Sequence, residues 1–295
     1  MQQKTYRIYC KQGVKAFTSL RFGAERHPDA ATLALPYAGM DFCPYAGNNP
    51  DIIRQNRRIF CQQNAINPKN LFFPRQTHSC NVIEIDSDFL KKNEEEQADR
   101  LQGVDALITR QPGVFLGIFT ADCMAVFLYD PAHRAIGLAH SGWRGTVQKI
   151  VLATIAEMRQ RYGTRPQDLL VAVAPHISTE DYEVGDELTT AFAEAGFDTH
   201  RIFKKGKSPR HRQLNLSAAI RQTLEEAGVP RKQVEISREC SYQHPEKYFS
   251  ARRLGAASGR TAHCIGLRPP QFLNAATHAS AQRSPSIAAD TMPPA

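Results

Sequence analysis

Apolar residues along the chain follow two rhythms. One is a recurrence every three to four residues, which puts the apolar side chains of DIIRQNRRIFCQQNAI (51–66), VQKIVLATIAEMRQRYG (147–163) and LNLSAAIRQTLEEAGV (214–229) on single helical faces. The second half of HISTEDYEVGDELTTAFAEAG (176–196) has the same spacing. Asp51 stands where a helix cap belongs, Gly163 closes the second helix, and Ser217 lies near the start of the third. The other rhythm is the short apolar run of strands: TYRIYC (5–10), KAFTSL (15–20), the end of LFFPRQTHSCNVIEI (71–85), GVDALITR (103–110), AIGLA (135–139), DLLVAVAP (168–175) and VEISREC (234–240). GVFLGIFTADCMAVFLYD (113–130) is apolar almost throughout and rich in aromatic and β-branched residues, so it reads as a buried strand interrupted at Thr120-Ala121-Asp122-Cys123.

Strands and helices alternate without one βαβ rhythm, which predicts an α+β (mixed α/β) domain with mixed sheets. Two polar segments read as loops, KKNEEEQADR (91–100) and KKGKSPRHR (204–212). From Pro269 the sequence turns to Ala, Ser and Pro with little apolar content, so the expected organisation is one domain over 1–268 and a disordered tail over 269–295.

Composition narrows the classes. With 42% hydrophobic and 22% charged residues in 295, the chain can bury a sizeable core. No run approaches the roughly 20 apolar residues of a membrane span, and MQQKTYRIYCKQG lacks the apolar region of a signal peptide, so a cytoplasmic location with no membrane partner is expected. The seven cysteines are scattered and never form CxxC, which argues against a disulfide framework and for reduced thiols. The net charge of +8 is dispersed, pointing away from a dedicated nucleic-acid surface and remaining compatible with small anions such as phosphate.

Three candidate metal ligands stand at or near the ends of apolar runs, where side chains can leave a sheet edge and enter a cleft: His78 in QTHSC, Cys123 in TADCM and His140 in AHSGW. Imidazole and thiolate suit zinc, and three protein ligands leave a fourth coordination position open, as catalytic sites do. Read as isolated residues, a buried Cys can be a small core residue and a His beside Gly and Ser a hydrogen-bonded loop residue. Cys240 and His244 in CSYQH, and the adjacent His263 and Cys264, are competing pairs without a second half nearby. In HSGWRG, Gly142 and Gly145 suggest a sharp turn and close approach, Arg144 offers a planar fork for phosphate or carboxylate or a structural salt bridge, and Trp143 reads as core.

Taken in order, these segments resemble the YfiH/laccase-domain family from about residue 50 to 268. The matching elements are Asn56-Arg57, Gln76-Thr77-His78, Asp105 to Thr109, Ala121 to Cys123, His140 to Gly145, Tyr182 to Gly185, Phe249 to Arg253 and Ser258 to Arg260. The resemblance implies a four-layer α/β/β/α sandwich and one zinc ion on His78, Cys123 and His140. It also implies phosphorolysis of adenosine, inosine, guanosine and methylthioadenosine, together with adenosine deamination. The expected partners are small molecules, purine nucleosides and phosphate, acting on a monomer or small homo-oligomer.

Arg57 and Arg144 are the candidate anion contacts, joined by Arg252 or Arg253. Asp105 and Asp122 are candidate proton-handling carboxylates, or Asp122 orients a ligand histidine from behind. Two departures stand out. APHISTEDYEV (174–184) has Glu180 and Asp181 where many members carry cysteines, and the first 50 residues match only loosely. Rival activities are amide hydrolysis on a UDP-muramyl peptidoglycan precursor, copper-dependent phenol oxidation, which the absence of any HxH pair disfavours, and a structural zinc.

Overall fold

The computed structural model describes residues 6–9, 13–22 and 28–268, so the predicted tail over 269–295 lies outside the described residues. Two mixed sheets carry the fold. The first orders the strands Tyr6–Tyr9, Val14–Thr18, Thr261–Leu267, Phe115–Thr120 and Leu71–Phe72, with only the last pair parallel. The second orders Val234–Ile236, Leu170–Val173, Met124–Asp130, Ala135–Ser141, Ala106–Thr109 and Val82–Glu84, parallel at both edges and antiparallel between.

The alternation of side chains along each strand builds the layers. Ala125, Phe127 and Tyr129 of the second sheet join Leu116, Ile118, Ile265 and Leu267 of the first in one buried cluster between the sheets. Their neighbours Met124, Val126 and Leu128 form another cluster with Ile150, Ile155 and Met158 of the helix Ile150–Tyr162 and with Ile220 and Leu224 of the helix Leu216–Glu226. On the outer side of the first sheet, Phe17, Phe119 and Cys264 pack on Ile53, Phe60 and Cys61 of the helix Pro50–Asn64.

Helix, sheet, sheet and helix layers therefore stack in the expected four-layer sandwich. Both faces of Met124–Asp130 are covered, so all seven of its residues are buried, and the sequence there is apolar without alternation. Burying each large aliphatic or aromatic side chain contributes on the order of 1.5–3 kcal/mol, so the strands bordering Cys123 and His140 make a rigid base.

Several local expectations change. The segment 91–100 is not all loop: Glu94–Arg100 is a helix, because Asn93 and Glu96 form a reciprocal capping box and three glutamates occupy its first turn, where the helix dipole favours negative charge. The segment 204–212 contributes to a hairpin, Phe203–Lys205 against His211–Leu214, extended by Glu183–Gly185 into a three-stranded sheet. Asn49, with Pro50 behind it, caps the first long helix, and Asp51 is the residue whose N–H it receives. The helix expected over 147–163 is two, Trp143–Val147 and Ile150–Tyr162, separated at Lys149 in a left-handed conformation (φ 61°). No helix among the described residues is long and apolar enough to cross a membrane.

Candidate metal centre

His78, Cys123 and His140 converge, with their ligand atoms all within 4.8 Å of one another, and among the described residues they are the only such group of three. Each arrives from a different place. His140 lies near the end of Ala135–Ser141, opposite Ala125 in the register, and Cys123 immediately precedes Met124–Asp130 on the adjoining strand. The interruption predicted at 120–123 is real: Asp122 has φ 91°, outside the strand conformation, and this bend separates Phe115–Thr120 in one sheet from Met124–Asp130 in the other. Cys123 thus sits where the chain crosses between sheets.

His78 comes from the loop after Leu71–Phe72. Gln76 fastens that loop by donating from Nε2 to the Phe119 carbonyl and accepting the Phe119 N–H at Oε1, both at 2.8 Å, in imitation of a strand ladder. His78 itself is left-handed at φ 63°, and the backbone N–H groups of Thr77, His78 and Ser79 all donate to the Asp105 carboxylate at 3.0, 3.1 and 2.7 Å. Asp105 Oδ2 also accepts from Ser79 Oγ at 2.9 Å, and Oδ1 bonds His140 Nδ1 at 2.7 Å.

One buried carboxylate therefore orients two of the three ligands, His78 through its backbone and His140 through its ring. With Nδ1 engaged, His140 offers Nε2 to the centre. Burial would raise the Asp105 pKa, but the His140 bond, its charge and the backbone donors overcome it and hold the carboxyl down to about 2. Asp105 is thus the orienting group, its two oxygens engaged by five donors.

Burial likewise opposes charge on Cys123 and His140, and their mutual bond reverses both effects. The thiol falls to about 6, helped by His140 and then His78, and the imidazole rises to about 9 under Asp105 and Cys123. In the metal-free triad this is a thiolate–imidazolium pair, with the soft anionic sulfur a metal requires already formed. Gly142 completes the cradle: a Cβ there would lie 2.6 Å from Cys123 Sγ and 3.4 Å from His78 Cδ2. Its φ is −77°, so the requirement is for space and not for a left-handed turn, and Gly145 falls inside the short helix.

The remaining predicted residues separate into those at the centre and those elsewhere. Asp122 orients no ligand. Its Oδ1 accepts from Ser241 Oγ and its Oδ2 from the Arg252 backbone N–H, both at 2.7 Å, and its carbonyl accepts from Ile177 N–H at 3.0 Å. It ties the Cys123 bend to three neighbouring segments. Arg252 is exposed, donates to the Glu183 carbonyl at 2.7 Å and lies 5.3 Å from the Tyr182 ring centroid. Arg144 is exposed and stacked 4.2 Å from the Trp143 centroid, and Trp143 is half-buried against the core.

Arg253 donates both Nε and Nη2 to the Tyr242 carbonyl, a local structural contact. Arg57 donates to the Leu71 carbonyl at 3.0 Å, and Leu71 pairs with Phe115, at the opposite end of Phe115–Thr120 from the Cys123 bend. Arg57 is therefore a helix-to-sheet tether and does not face the triad.

The competing thiol and imidazole pairs are occupied otherwise. Cys240 donates to Asp181 and accepts from the Ser178 N–H, while His244 bonds Glu246 at 3.2 Å. Both nitrogens of His263 bond threonine hydroxyls, Thr18 at 2.9 Å and Thr120 at 2.8 Å. Asp181, standing where cysteine is common in the resembling family, gathers Ser178, Cys240 and Gln243.

Reading the residues singly missed Tyr182, seen only as the first letter of a motif. Its ring lies 5.3 Å from the Arg252 guanidinium, and Arg252 is bonded through its backbone N–H to Asp122, next to Cys123. An aromatic residue ahead of an alternating YEVG could have suggested a wall residue, but nothing local distinguishes it from core.

With this geometry in place, known proteins can be compared. A family profile described as multi-copper polyphenol oxidoreductase laccase matches residues 26–268, reaching further toward the N-terminus than the motifs alone suggest. A Bacteroides thetaiotaomicron protein named purine nucleoside phosphorylase is 41% identical over 225 residues, covering 76% of this chain and 83% of that one. A protein named adenosine deaminase RL5, from an unknown prokaryotic organism, is 36% identical over 250 residues, 85% of this chain and 92% of that one. YlmD from Geobacillus stearothermophilus superposes with a TM-score of 0.79 at 25% identity, covering 91% and 98% of the two chains. The hypothetical protein YfiH of Bacillus licheniformis does so at 0.76 and 25%, covering 86% and 93%.

Proposed function

The chain belongs to the multi-copper polyphenol oxidoreductase laccase family, and from that premise we propose that it is a zinc-dependent purine nucleoside phosphorylase with adenosine deaminase activity. The observation that carries the reading is the His78–Cys123–His140 triad, three soft and borderline donors brought together with no fourth His, Cys, Asp or Glu ligand among the described residues. The set fits zinc: the sulfur is already anionic, His140 is oriented by a carboxylate, and Gly142 keeps the space in front of the sulfur clear. The methionine next to Cys123 in the chain, Met124, is buried in the core with Ile150 and Ile155 of the helix Ile150–Tyr162 and so is engaged in packing. When bound, zinc supplies a Lewis acid with an open coordination position.

The chain's own residues do the rest. Arg144, exposed on the turn after His140, and Arg252, exposed beside Tyr182, offer guanidinium forks that orient a phosphate toward C1′ of the ribose. Asp105 and Asp122 hold ligands and loops in place, leaving reactant binding to groups that project into the cleft. The nucleosides proposed as substrates are adenosine, inosine, guanosine and methylthioadenosine.

The test is turnover of purified, zinc-loaded protein on a nucleoside panel with and without phosphate, alongside measured metal content. Ribose 1-phosphate and free base formed only with phosphate are expected. An absence of ribose 1-phosphate, or stoichiometric copper with no zinc in the active protein, would overturn the proposal. A parallel arm with a serine-bearing UDP-muramyl precursor detects amide hydrolysis.

A further inference from the structure

Phosphorolysis leaves a proton-handling task without an owner. As the C1′–N9 bond breaks, its electron pair moves onto the purine, and the developing negative charge is relieved by a donor at the ring. The two carboxylates first expected near the reaction are both committed. Asp105 accepts from five donors, and Asp122 is held by Ser241 and by the Arg252 N–H. His140 uses Nδ1 on Asp105 and turns Nε2 to the metal, while Asp181 is surrounded by Ser178, Cys240 and Gln243.

Tyr182 is different. Its backbone is fixed at both ends, the N–H donating to Thr179 and the carbonyl accepting from Leu214 at 3.0 Å. Its ring packs against the core and lies 5.3 Å from the Arg252 guanidinium, and the Arg252 backbone N–H bonds Asp122, the residue before Cys123, at 2.7 Å. It is half-buried, and its hydroxyl has no hydrogen-bond partner among the described residues, although a phenol normally donates one. Tyr182 therefore keeps an unused O–H on a rigidly held residue beside Arg252, whose backbone is tied to Asp122 next to the Cys123 ligand.

We propose that Tyr182 is a catalytic residue that donates its hydroxyl proton to the departing purine. This rests on the phosphorylase reading above. A phosphate oxygen forms the new bond to C1′, the C1′–N9 bond breaks with its pair going to the purine, and the purine nitrogen takes the proton from the Tyr182 oxygen. The proton that monohydrogen phosphate loses on becoming the ribose phosphate dianion returns to that oxygen, so the enzyme is unchanged at the end of the turnover. Burial favours the neutral phenol, the state a donor requires.

The experiment compares Tyr182→Phe with the unsubstituted protein, both zinc-loaded, on inosine and on 7-methylinosine in saturating phosphate. The methylated ring already carries its positive charge and leaves without protonation. Loss of a proton donor typically costs about 10²-fold or more. The variant is therefore expected to lose roughly that factor in kcat on inosine while staying within about twofold on 7-methylinosine. The ratio of the two activities on one preparation does not depend on how much of it is folded.

Equal losses on both substrates, or no loss on inosine, would overturn the assignment of Tyr182. If the unsubstituted protein turned over neither substrate with phosphate, the phosphorylase reading itself would fall.

Discussion

His140, 4% exposed, and His263, wholly buried, occupy strands of the two facing sheets, and each bonds a neighbour through Nδ1. His140 bonds a carboxylate, Asp105, and keeps its second nitrogen for the space it shares with Cys123 and His78. His263 spends both nitrogens on hydroxyls, Thr18 and Thr120. Burial weighs against protonation in both. The charged partners of His140 overcome it and lift the imidazole to about 9, whereas His263 bonds only neutral hydroxyls, and burial, joined by repulsion from His140 and His176, carries it down to about 3. A buried histidine is thus a ligand or a core residue according to whether a nitrogen is left over and whether its partners carry charge, and depth alone decides neither.

The largest expected difference between the two regions lies in their cysteines. Cys123→Ala removes one of three ligands and is expected to abolish stoichiometric zinc and to lower phosphorolysis about a thousandfold or more, some 4 kcal/mol of barrier. Cys264→Ala, beside His263 and buried against Phe60 and Cys61, is expected to keep full metal content and activity and to lose about 1 kcal/mol of stability from the small cavity. Metal analysis and initial rates on both variants check this. Equal metal loss in the two would erase the distinction.

Asp105→Asn sharpens the comparison from the side of the partner. An amide of the same size retains one acceptor oxygen and turns donors toward the Thr77, His78 and Ser79 N–H groups, loosening two ligands together. The expected cost is about 10- to 100-fold in metal affinity, measured by competition with a chromophoric chelator. The carboxylate also contributes to stability. Because its folded pKa is depressed to about 2, that contribution is present above about pH 4 and is lost as pH falls through 2, and the asparagine variant should lack this acid step.

How much of this was legible beforehand depends on whether the signal was local. The interruption TADC inside an apolar run showed where the chain leaves a sheet, and HSGWRG showed a crowded turn, so Cys123 and His140 could be placed at strand ends, whereas His78 lies in the loop that follows Leu71–Phe72. The four layers came from the family resemblance; the apolar rhythm alone reached only mixed sheets, because which strand faces which helix is settled by tertiary packing. Asp105 could be named as a carboxylate near the site but not given its task, since its donors come from residues 77–79 and from His140 on another strand. Arg57 misled for the same reason in reverse: it sits in a family motif, yet its guanidinium binds the Leu71 carbonyl. The acidic run 91–100 looked like solvated loop because charge density hides a capping box, which is a pairing of two particular side chains.

The smallest expected effect tests the neutral member of the pair through pH. His263 has a folded pKa of about 3 and an ordinary value near 6.5 once unfolded, so below pH 6.5 the unfolded chain takes up a proton that the folded chain refuses. Stability contributed by its neutral form therefore declines as pH falls through 6.5 and goes on declining toward 3. His140 in the metal-free protein has the opposite sign: raised to about 9, its contribution is complete below 6.5 and fades as pH rises through 9. His263→Gln keeps a donor and an acceptor for the two threonines but removes the titration. Between pH 6.5 and 5.5 the unsubstituted protein should lose about 1 kcal/mol more stability in urea than the variant does. Identical losses would mean that His263 gains a proton inside the fold, and the contrast with His140 would then fail, because two hydroxyls would be holding an imidazolium as well as a carboxylate does.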